Sequence, residues 1–71
     1  MSHFVIYDSP FDFPPGTIVV REWEIRAGGL IARDAVTYAS IQEARAPLFK
    51  TGLTCMPALP GDDPVIVEVW I

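Results

Sequence analysis

Glu68 is the residue whose setting most invites chemistry. It is the one carboxylate in the otherwise apolar run Val65-Ile66-Val67-Glu68-Val69-Trp70-Ile71. A carboxylate among apolar neighbours is either paired or carries a displaced pKa. As a functional group it would be a general acid or base in a small pocket. As a structural group it would form an ion pair. Arg21 is then the natural partner, because it interrupts the apolar alternation Val19, Trp23, Ile25 of its own segment. A second gathering of carboxylates, Asp62-Asp63 with Asp8 and Asp12, could supply oxygen ligands to Mg²⁺ or Ca²⁺. Their spacing follows no calcium loop, and Asp after Gly and before Pro is ordinary turn chemistry. No metal is expected.

The remaining reactive types are sparse. His3 is the only histidine and Cys55 the only cysteine. An unperturbed histidine titrates near neutrality, but no nucleophile motif surrounds His3, and no basic residue adjoins Cys55. One His and one Cys far apart exclude a zinc-ligand spacing. One cysteine excludes an internal disulfide. Gly28-Gly29 lacks the pattern of a phosphate-binding loop. No catalytic residue stands out, no cofactor is implied, and the sequence points away from an enzyme.

Aromatic residues form the other candidate set. Tyr7, Phe11, Phe13 and Trp23 lie close in sequence, and Trp70 comes near the end. Trp, Tyr and Arg dominate interface hot spots, whereas a small domain also needs aromatics simply to fill its core. The candidate binding residues are therefore Phe11, Phe13, Arg21, Trp23, Glu68 and Trp70. Phe11 and Phe13 are set apart by their loop, Phe11-Asp12-Phe13-Pro14-Pro15-Gly16, which two prolines and a glycine keep from regular pairing.

These residues must be positioned by few elements. The 71 residues make one domain, 1–71. A chain of this size buries only about 60% of its unfolded surface, so a partner subunit or an unusually good core is needed; 51% of the residues are hydrophobic. His3–Tyr7 reads as a first strand. Thr17–Arg26 is the clearest strand, followed by the Ala27-Gly28-Gly29 turn. Leu30–Tyr38 alternates poorly and reads as an edge strand or an irregular return. Ser40-Ile41-Gln42-Glu43 is a capping box. The helix it opens carries Ile41, Ala44, Leu48 and Phe49 at helical spacing and stops at Gly52. Pro47 should kink that helix or end it early. Leu53–Met56 reads as a short strand, Pro57–Pro64 as a loop. The β-branched and aromatic final run reads as a strand inside the sheet. The expected fold is α+β: a small antiparallel or mixed sheet of about 3–5 strands with one helix packed on one face. The final strand is apolar on both faces, so either the long loops or a second protomer must cover the side the helix leaves open.

Net charge is −4, and the five basic residues Arg21, Arg26, Arg33, Arg45 and Lys50 are dispersed. Nucleic-acid binding is therefore not expected. The start of the chain lacks a basic region followed by an apolar run, and no stretch approaches the ~18–20 apolar residues that span a bilayer. Cytoplasmic location without membrane contact is the expectation. Arginine, alanine and proline usage fits a GC-rich bacterial genome.

Val5-Ile6-Tyr7-Asp8, Val19-Val20-Arg21-Glu22-Trp23, Ser40-Ile41-Gln42-Glu43-Ala44-Arg45 and the closing Asp62-Asp63-Pro64-Val65-Ile66-Val67-Glu68-Val69-Trp70-Ile71 together resemble a family of short bacterial proteins with no established activity. The resemblance covers most of the chain and implies a single compact domain of bacterial cytoplasmic origin. It supplies no catalytic residue. The expected function is that of a small non-catalytic domain that binds a protein partner or its own copy as a homodimer. The alternative is a small-molecule-binding or enzymatic domain, with a pocket between helix and sheet or at a dimer seam and with Glu68, Arg21 and Trp23 lining it.

Overall fold

A computed structural model describes residues 2–58, 61 and 64–71. Five strands and one helix follow in the order β1 (Ser2–Asp8), β2 (Ile18–Arg26), β3 (Gly29–Tyr38), α1 (Ile41–Phe49), β4 (Cys55–Pro57) and β5 (Ile66–Trp70). The sheet order is β3-β2-β1-β5-β4, and every neighbouring pair is antiparallel. The expected α+β architecture is the observed one, with no parallel pair among the described strands. β5 lies between β1 and β4, inside the sheet, as a run apolar on both faces but for Glu68 requires.

The helix covers one face. Ala44 and Leu48 are buried on Ile6, Ile18, Val20 and Trp70, with Phe4, Tyr38, Ile41, Leu53 and Val67 packed around them. The Ser40 hydroxyl accepts from the Glu43 backbone N–H at 3.2 Å. The Glu43 carboxylate reaches one residue further back than a capping box predicts and accepts from Ala39 N at 3.2 Å. Pro47 neither ends the helix nor displaces it from the core. The helix runs two residues further to Phe49, with Lys50 as its cap residue, and Gly52 follows at φ +78°. Proline there costs a backbone hydrogen bond, and the neighbouring Leu48 anchors the turn in the core.

The 9–17 loop is tied at both ends. Ser9 N donates to Thr17 O at 2.9 Å, and Gly16 N donates to Ser9 Oγ at 2.8 Å. Ser9 itself takes φ +52°, a conformation that its side-chain bonds to Asp8 and Gly16 hold in place.

β3 is an edge strand along its full length, and it is irregular in one place. Arg21 opposes Ala35 and Trp23 opposes Ala32. Three steps of β3 thus match two of β2, which puts one extra residue, a β-bulge, at Arg33–Asp34.

Candidate interaction surface

Glu68 is 6% exposed, and its partner is Arg45, not Arg21. Arg45 Nε donates to Glu68 Oε1 at 2.7 Å and Nη2 to Oε2 at 2.9 Å. Trp70 Nε1 donates to Oε1 at 3.1 Å. The reason Arg21 fails is parity. Glu68 lies opposite Ile6, whereas Arg21 lies opposite Val5, and successive residues of β1 point to opposite faces. The Arg45 guanidinium holds the Glu68 carboxyl below its ordinary range against the opposing effect of burial, with further bonds from Cys55 and Trp70. The same pair raises the Arg45 pKa. Desolvation, then the adjoining carboxylate, push the Cys55 thiol up. A carboxylate kept ionised and a thiol kept protonated are poor material for acid–base or nucleophilic catalysis at neutral pH. The cluster is a fastening between α1, β5 and β4.

The six candidate residues do not converge. Glu68 and Trp70 lie on the helix-covered side, where Phe49 meets the Trp70 ring edge-on at 5.1 Å. Arg21 and Trp23 lie on the opposite face. There Trp23 Nε1 donates to the Tyr7 hydroxyl at 3.3 Å, and His3 stands opposite Trp23. Arg21 donates to the backbone oxygen of Arg33, at the bulge, at 3.2 Å. Phe13 folds back to line a hollow of roughly 160 Å³ with Tyr7, Pro10, Asp12, Val19 and Arg21, and beneath that loop Val19 is only 2% exposed. Phe11 points wholly into solvent. The loop therefore covers the Val19 end of the second face, one of the two solutions that the sequence left open.

A groove does lie between helix and sheet, but with other walls than expected. Its roughly 320 Å³ is bounded by Phe4, Val20, Val36, Tyr38, Ala44 and Leu48, with Glu22 and Asp34 supplying carboxylates. Glu68, Arg21 and Trp23 take no part in it. Nor do the arginines offer a free cationic patch, because three of the four are held by carboxylates. Arg26 and Arg33 both pair with Glu24, at 3.0 and 3.4 Å, and Arg45 belongs to Glu68. Among the described residues no three metal-ligating side chains come together, and the Asp62-Asp63 pair lies outside those residues. No helix among them is long and apolar enough to cross a membrane.

Sequence reasoning places Leu30–Tyr38 as an edge strand or irregular return, and β3 is an edge strand, but the apolar surface it carries was missed. β3 exposes Leu30 at 64%, Ile31 at 39% and Val36 at 50%. A half-buried strand is recognised by regular alternation, and the bulge breaks that alternation at Arg33–Asp34. No family model, no curated protein and no solved structure matches the chain.

Proposed function

We propose that the chain is a small non-catalytic domain that acts by self-association, through the outer edge of β3. The supporting observation is that edge itself: ten residues in extended conformation, unpaired on one side, carrying three large apolar side chains to solvent. Such an edge is a template for another strand. The opposite edge is blunted, since β4 has three residues and includes Pro57, which has no N–H to offer. One open edge and one closed edge give a dimer rather than a fibre. Light scattering after size exclusion, over a dilution series, tests the reading. The expected mass is twice that of the 7.8 kDa chain. A single-chain mass at every concentration overturns it.

The groove between helix and sheet supports a second reading, a site for a small apolar ligand. Val36, Tyr38 and Asp34 of β3 form one of its walls, so it would lie beside the dimer seam. A thermal shift on titration with small apolar compounds would favour it, and none would count against it.

A further inference from the structure

We infer that two copies pair β3 with β3 about a twofold axis that passes through the bulge, between Arg33 and Asp34, in the register where paired residue numbers sum to 67. This rests on the self-association proposed above and specifies its geometry. In an unbroken antiparallel strand, a residue of odd number and one of even number point to opposite faces. An odd-sum register would then set helix-side residues against open-face residues. The bulge changes this. Ala35, opposite Arg21, and Ala32, opposite Trp23, share the open face, as do Thr37 and Leu30, opposite Val19 and Ile25. Val36, opposite Val20, and Ile31, opposite Glu24, share the helix side. In the proposed register Leu30 meets Thr37 of the second copy, Ile31 meets Val36 and Ala32 meets Ala35. Every pair has matching faces, and the whole of Gly29–Tyr38 is used.

Charge selects the same register. Arg33 meets Asp34 of the second copy, and Asp34 meets its Arg33, so two opposite-charge pairs flank the axis. The Asp34 carboxylate has no ion-pair or hydrogen-bond partner within its own chain among the described residues. It stands with Glu22 at the groove, where the second copy would supply the missing cation. A bulge and charges also serve to blunt an edge against pairing. Here, though, adjacent residues of opposite sign are self-complementary, and the flanking positions Ile31 and Val36 are apolar and exposed.

The test uses disulfide trapping in a Cys55→Ala background. One population carries Ala32→Cys and the other Ala35→Cys; both positions lie on the edge strand, and far-UV circular dichroism checks that both chains fold. Directly opposed residues lie within disulfide reach, whereas a residue and its own copy would be offset by two ladder steps, about 7 Å along the strand, on top of the roughly 5 Å between strands, which is beyond that reach. The inference predicts covalent dimer on mixing the two populations under mild oxidation, and none from either alone. Equal trapping within a single population overturns the register. So does the absence of trapping in the mixture when light scattering shows a doubled mass, an outcome that leaves self-association standing. A wild-type monomer overturns both.

Discussion

Arg45 grips Glu68 through two hydrogen bonds, of 2.7 and 2.9 Å, and so fastens the single helix to the strand beside the centre of the sheet. Bidentate guanidinium–carboxylate geometry is strong and directional. Trp70 completes the shell around the carboxylate.

Removing the guanidinium should be costly. Arg45→Ala would leave a buried carboxylate held by Trp70 and Cys55 alone. Losing one partner of a buried pair costs about 3–5 kcal/mol; because the Arg45 side chain is 38% exposed, about 2–3 kcal/mol is expected here. Arg45→Lys should recover only part, since ammonium lacks the fork. Arg21→Ala, which loses one exposed bond to a backbone oxygen, should cost under about 1 kcal/mol. Urea unfolding of the three variants checks the order.

Acid should weaken the fold through Glu68. Its pKa in the folded state lies below the ordinary glutamate value. Its stabilising contribution is therefore complete above an unfolded pKa of about 4.3 and is lost as pH falls through the folded value. Glu24, lowered by its bond to Arg26, works in the same direction. Unfolding free energy measured from pH 7 to pH 3 should fall less steeply for Glu68→Gln than for the wild type. Identical slopes would contradict the assignment.

The Cys55 thiol should be slow. Raised by desolvation and by the Glu68 carboxylate, it holds less thiolate at neutral pH than a free thiol. Alkylation by iodoacetamide at pH 7.5 should run more slowly than that of a model thiol, and Glu68→Gln should speed it. A faster rate for Cys55 than for the model would reverse this reading.

Charge reversal should read the β3 seam. Arg33→Asp alone, or Asp34→Arg alone, would set like charges across the axis twice. Each cross-strand charge pair is worth roughly 0.2–1 kcal/mol, so either variant should weaken the dimer about tenfold. The double variant, Arg33→Asp with Asp34→Arg, should recover most of the affinity. Sedimentation equilibrium of all three decides it.

The strands and the helix were largely legible because each carries its own local signal. Period-two alternation marks β2, the Ser40–Glu43 cap marks the start of α1, and a run apolar on both faces but for Glu68 marks β5 as interior. The partner of Glu68 was not legible. Which face Glu68 occupies depends on how β5 registers on β1, a long-range choice that no local pattern encodes. Nothing near Glu68 in sequence identifies Arg45, though the buried Ala44 beside it places it on a helix flank close to the sheet. The β3 surface was hidden for a related reason. An extra residue at Arg33–Asp34 turns a good alternation into a poor one, so the strand with the most exposed apolar surface gave the weakest strand signal.

Concentration-dependent amide exchange addresses the central claim most directly, because it reports both that copies associate and where. If copies join through β3, amides of Leu30 to Thr37 should exchange more slowly as the protein is concentrated, while those of the 10–16 loop and β4 stay unchanged. If no amide responds to concentration, or if the response falls in the Phe11–Phe13 loop, the β3 account is wrong.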